Sequence, residues 1–160
     1  MRRKSFKRAV CPVARSLDVI GDWWSLLIIR DALIGARRFG EFQRSLGLAK
    51  NILTTRLKAM VAQGILKVAP ASDGSAYQEY VLTKKGQALL PVMVALGQWG
   101  SDFLFTSKEA RAVSVDAKNG RPLRRLEVRA DDGRRLEFPD VQFTRPPKDI
   151  HGKSARSKSA

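Results

Sequence analysis

Histidine and cysteine are almost absent from this 160-residue chain: one of each, His151 and Cys11. A single thiol cannot close an intrachain disulfide, so the fold must be held by burial, and a reducing compartment is expected. The one histidine lies in a polar C-terminal stretch, which leaves no Ser-His-Asp or Cys-His pairing for the body of the chain. There is no G-x-x-x-x-G-K-[ST] loop, no G-x-G-x-x-G after a strand and no H-E-x-x-H, so the sequence predicts a protein that is not an enzyme. Long apolar runs are missing as well. Runs such as "LLII" are far too short to span a bilayer. The basic start "MRRKSFKRAVCP" is not followed by the apolar stretch of a secretory signal. These readings predict a cytoplasmic protein with no membrane partner.

Acid is the third scarcity. Thirty Lys and Arg stand against fifteen Asp and Glu, a net charge of +15. Such an excess points to a polyanionic partner, nucleic acid first and anionic membrane second. The charge is uneven along the chain: residues 1–10 hold five basic groups and no acid.

The patterning predicts a mainly α protein with a small β component. Residues 1–10 read as a basic N-terminal arm. Pro12 suits the first position of a helix, which places Cys11 at its N-cap. Asp22 can cap a second helix, "WWSLLIIRDALIG", apolar on nearly all sides and ended by Gly35. A short helix, "FGEFQRSL", carries Phe39, Phe42 and Leu46 on one stripe. The turn "GLA" then leads into a helix over about 50–63, with Leu53, Leu57 and Met60 on its apolar stripe. Two helices joined by a short Gly-containing turn form a helix-turn-helix. "ILKVAP" and "AYQEYVL" read as strands around "ASDGS", a hairpin turn by its Asp-Gly. Thr83 caps one long helix, "KKGQALLPVMVALGQWGSDFL", which Pro91 should kink. Residues 11–105 therefore make a winged helix-turn-helix domain, to which the family resemblance given below adds dimerisation. Residues 106–150 form a C-terminal β-hairpin appendage with Asn-Gly and Asp-Gly turns, its strands placing Leu126, Val128, Leu136 and Phe138 on apolar faces. The polar stretch 151–160 reads as a disordered basic tail.

From Lys50 to Leu66 there is no Asp or Glu. Asn51, Thr55 and Lys58 lie opposite the apolar stripe, with Lys50, Thr54 and Arg56 on its flanks. Asn and Thr can read base edges by hydrogen bonds, and Lys and Arg can hold phosphates. A helix that only needed to be soluble would mix both signs of charge. Arg37 and Arg38, just ahead of the motif's first helix, are placed either to clamp phosphate or to lie in a solvated loop.

The stretches "CPVARSLDVIGDWWSLLIIRDAL", "RRFGEF", "LTTRLKAM" and "YVLTKKG" together resemble the HxlR-type transcriptional regulators, relatives of the MarR group, from about Cys11 to Phe105. The resemblance implies a homodimeric DNA-binding regulator, a repressor by expectation, on a palindromic operator in double-stranded DNA. It assigns base and phosphate contacts to Lys50, Asn51, Thr54, Thr55, Arg56 and Lys58. It puts the wing tip, Asp73, Gly74 and Ser75, near the minor groove or backbone. Trp23, Trp24, Trp99 and Phe103 then belong to the core or the dimer interface, with an aromatic effector pocket as the alternative. The resemblance also implies that Cys11 senses oxidants or small electrophiles. A helix N-terminus with Arg8 and Arg15 nearby in sequence would favour such reactivity; the plainer reading is a cysteine that merely caps the helix. No cofactor is implied. Asp116, Asn119, Arg129 and Asp132 at the appendage turns make a poor zinc set, so no metal is expected. The competing readings are a basic winged-helix module for protein interaction or for RNA binding.

Overall fold

The computed structural model describes residues 5–144. The tail 151–160 and the first residues of the arm lie outside that span. The element order is α1 (Pro12–Ile20), α2 (Trp23–Leu33), α3 (Phe39–Leu46), α4 (Lys50–Ala62), β1 (Leu66–Pro70), β2 (Gln78–Leu82), α5 (Lys84–Gln87) and α6 (Leu90–Phe103). The described chain forms two compact units, one of residues 19–127 and one of residues 5–18 with 128–144.

Local chemistry accounts for the boundaries in the larger unit. The Asp22 carboxylate accepts the Ser25 N–H at 3.1 Å and its hydroxyl at 2.6 Å, starting α2. Glu41 reaches back to accept the Arg37 and Arg38 N–H groups at 2.7 and 2.9 Å, closing the start of α3. Gly47, at φ +63°, ends α3 in the left-handed conformation that glycine adopts without a Cβ clash, and its N–H bonds the Gln43 carbonyl. Thr83 accepts the Gly86 N–H and starts α5. Gly86 has no room for a side chain, because a Cβ would lie 2.3 Å from the Ile65 carbonyl oxygen.

The core joins α2, α3, α4 and the strands. Ile28, Ile29, Phe42, Leu53, Leu57 and Leu66 are fully buried, each contributing roughly 1.5–3 kcal/mol of apolar burial. Phe42 meets Tyr80 edge to face at 6.5 Å. β1 and β2 pair antiparallel from Leu66 opposite Leu82 to Pro70 opposite Gln78. A third segment joins them where the Tyr80 N–H bonds the Arg37 carbonyl at 2.7 Å.

Two expectations need revision. The long helix is not one kinked rod: α5 ends and α6 begins across a turn at Ala88–Leu89, where the Leu89 N–H bonds the Gly86 carbonyl in a tightened turn, and Pro91 stands in the first turn of α6. Pro91 has no N–H to give the Gln87 carbonyl, and a first turn needs none. In the appendage, both reversals exist, at Asn119-Gly120 and Asp132-Gly133. Each is closed by one isolated bridge rather than by strands, Val115 opposite Pro122 and Arg129 opposite Arg135. Leu126, Val128 and Phe138 are exposed and Leu136 is half-buried, so the expected apolar faces are not covered by the described residues.

Candidate nucleic-acid interface

Helix α4 is anchored by one side and open on the other. Leu53, Leu57 and Met60 are buried against the core, which turns Lys50, Asn51, Thr55 and Lys58 outward, all exposed. Thr54 and Arg56 are half-buried at the flanks. The Thr54 and Thr55 hydroxyls donate to the Lys50 and Asn51 carbonyls, at 2.7 and 2.9 Å. Their protons are thus committed to the helix backbone. What they offer outward is oxygen lone pairs and methyl groups, suited to accepting from a cytosine or adenine amino group or touching a thymine methyl. The helix begins at Ala49 with no side-chain cap.

The structure places the arginines differently from the polar face. Arg56 forms an ion pair with Asp22 at 3.4 Å, tying α4 to the start of α2. Arg38 pairs with Asp73, lies 3.4 Å from the Ser75 hydroxyl and stacks over the Tyr77 ring at 5.8 Å. It also approaches Glu79 at 3.9 Å, as Arg37 does at 3.6 Å. Glu79 is buried, and its carboxylate accepts the Ser72 N–H and hydroxyl. The two arginines therefore latch the wing to the start of α3. The wing tip turns at Gly74, φ +75°. Asp73 is not a loose acid there: hydrogen bonds from Ser75 and then Arg38 pull its carboxyl down to about 2. The same pairing raises Arg38. The sequence marks Asp22 as a helix cap but not as the partner of Arg56, and it does not mark Glu79 or Tyr77 as partners of Arg37 and Arg38.

The aromatics divide. Trp24 packs partly buried against the core. Trp23, 74% exposed, sets its ring edge-on to Trp24 at 6.2 Å. Trp99 and Phe103, 55% and 71% exposed, pair at 5.8 Å on α6. Three of the four are thus surface groups of the single chain. Cys11 is exposed at the start of α1, where the Arg15 N–H bonds its carbonyl. The Arg15 guanidinium turns to the Ala9 carbonyl instead of the thiol. At the appendage turns, Asp116 accepts from the Lys118 N–H and the Asn119 amide, so these groups shape the reversal. Among the described residues no helix is long and apolar enough to cross a membrane.

A helix-turn-helix whose second helix shows an acid-free face, set beside a latched two-stranded wing, defines a winged helix-turn-helix protein of the DNA-binding, transcription-regulating class. The chain belongs to the HxlR-like helix-turn-helix family, whose model matches residues 19–108. It is similar to an uncharacterised HTH-type transcriptional regulator of Mycobacterium bovis, 40% identical over 92 residues, which are 58% of each chain. The chain thus spans less than two thirds of that relative's length. Its fold matches the crystal structure of PA1607, a candidate transcription factor, with a TM-score of 0.83 and 53% identity over 89% of this chain and 100% of that one. The redox regulator HypR in its oxidised form matches at TM-score 0.52 and 32% identity, over 57% of this chain and 96% of that one.

Proposed function

We propose that this protein is a transcriptional repressor that binds a palindromic operator as a homodimer, with α4 of each copy in the major groove. The observation that carries the reading is the outward face of α4, where Lys50, Asn51, Thr55 and Lys58 stand exposed with no acid among them. Asn51 and Thr55 meet base edges, and Lys50 and Lys58 meet phosphates. Arg38 and Arg37 act indirectly, by holding the wing at the height where its tip meets the backbone. The exposed Leu96, Trp99 and Phe103 row on α6 supplies an apolar seam for the second copy. Two-fold symmetry then sets the recognition helices about 34–36 Å apart. The test is a titration of a palindromic duplex selected from a random library, a random duplex and single-stranded RNA across salt. The expected result is a preference of roughly a thousandfold for the selected duplex with a steep salt slope. Equal affinity for all three would leave only non-specific charge, and capture of RNA alone would favour the RNA-binding reading.

We also propose that Cys11 is a sensor thiol. It is exposed at a helix start, and the fold is similar to that of a redox regulator. Treatment with a small electrophile should lower operator affinity in the parent and spare a Cys11→Ser protein. Equal loss in both would remove the role.

A further inference from the structure

Residues 111–127 return past α6 and are tied to it by side chains from one side of that helix. The Gln98 amide donates to the Arg124 carbonyl at 2.9 Å, and its oxygen accepts the Leu126 N–H at 2.9 Å. This is the pair of bonds that a neighbouring strand would make. One turn along, Asp102 takes both terminal nitrogens of Arg125. Between helix and returning chain lies a cavity of about 220 Å³, walled by Gly97, Asp102 and Arg111 and floored in part by Val113 and Leu123.

Two features mark this space. Gly97 sits in mid-helix, where glycine weakens a helix relative to alanine. A Cβ there would meet nothing within 4 Å. Gly86 is forced by a neighbouring carbonyl, and Gly97 is forced by nothing in the described chain. Gly97 lines the cavity without a side chain. The second feature is charge. Asp102 is committed to Arg125 in a two-pronged pair. Arg111 lies near enough to add to the pull that Arg125 exerts on the Asp102 carboxyl. Among the described residues Arg111 has neither a hydrogen-bond nor an ion-pair partner. The wall therefore presents two guanidinium groups to one carboxylate, beside apolar Val113 and Leu123.

We propose that this cavity is a binding site for a small organic anion, a carboxylate whose charge seats on Arg111 and whose compact apolar body lies against Val113 and Leu123. The volume suits the class: an enclosed cavity of about 150 Å³ accepts benzene, and this site, open to solvent on one side, has room for a ring bearing a carboxylate. The site does not depend on the operator reading, because it lies on α6 and the appendage and uses none of the α4 groups.

The test is an amide NMR titration of the full chain at fixed ionic strength with three probes of one shape: benzoate, benzamide and benzylammonium. Benzoate should produce saturable shifts at Gly97, Val113 and Leu123, with a dissociation constant on the order of 1 mM, ordinary for a ligand of this size. It should bind about tenfold more tightly than the other two. Arg111→Ala should erase that advantage and leave benzamide unchanged. Gly97→Leu should block all binding at these amides. Arg111 is exposed, so its variant folds even if Gly97→Leu does not. No saturable shift with benzoate, equal binding of the three probes, or benzoate binding unmoved by Arg111→Ala would each overturn the proposal.

Discussion

Two glycines on neighbouring helices show how much a single position depends on what stands beside it. At Gly86 an added Cβ would meet the Ile65 oxygen at 2.3 Å and a Leu82 methyl at 2.8 Å. Gly86→Ala should cost about 1–3 kcal/mol, because backbone must move. At Gly97 the same change meets open space and should stabilise by roughly 0.5–1 kcal/mol through helix propensity. Thermal denaturation of the two variants decides the matter, and equal losses at both would refute the contrast. Asp73 carries a second prediction at this scale. Its folded carboxyl titrates near 2, against an ordinary value of 3.8. A depressed folded value means that the carboxylate favours the folded wing above about pH 3.8 and that this contribution fades as pH falls toward 2. The latch to Arg38 should therefore persist unchanged from neutral pH to about 4. A carbon-detected NMR titration of the Asp73 carboxyl that showed a midpoint above 3.8 would contradict it.

At the scale of elements, the proposed reading divides α4 between stability on one side and recognition on the other. Leu57→Ala should cost about 2–5 kcal/mol, since the side chain is fully buried. Lys58→Ala should change stability by no more than about 0.5 kcal/mol while weakening every duplex alike. Asn51→Ala and Thr55→Ala should instead narrow the gap between operator and random duplex. Urea unfolding together with binding to both duplexes distinguishes these outcomes, and a uniform loss from all three changes would count against base readout. The helix-turn-helix was legible here because Phe42, Leu53, Leu57 and Met60 recur at helical spacing and Gly47 punctuates them. The wing was legible from Asp73-Gly74. The break between α5 and α6 was only half legible. Pro91 announced a disturbance, but whether a helix bends or restarts depends on what α5 packs against, and Gly86 is wedged under Ile65 and Leu82. The appendage shows isolated bridges where its alternation predicts strands, for a related reason. Alternating residues make pairing possible, but pairing needs a partner edge, and the Gln98 amide takes that place beside Arg124 and Leu126.

At the scale of the whole molecule, the exposed α6 row is an apolar surface that the described residues of a single copy leave uncovered. Trp99→Glu should shift the protein toward a single copy in sedimentation equilibrium and cost at least tenfold in palindrome affinity, because two half-sites would no longer be engaged together. A variant that stayed paired and kept full affinity would move the seam elsewhere. Charge belongs to this scale too, and here the net figure of +15 overstates what meets DNA. Arg37, Arg38, Arg56 and Arg125 all face acids within the fold. The operator's salt slope should follow the few outward lysines and arginines of each copy rather than total charge.

What the residues by themselves determined was everything governed by near neighbours: the caps at Asp22 and Thr83, the period of α3 and α4, the turns at Gly47 and Gly74, and the acid-free outer face of α4. These follow from contacts a few positions apart, and chain order contains them. What only the tertiary structure decided was which charges are free. Arg38 finds Asp73, Arg56 finds Asp22 and Arg125 finds Asp102 across 35, 34 and 23 positions. An ion pair forms wherever folding brings two groups within about 4 Å, a distance that no spacing along the chain encodes.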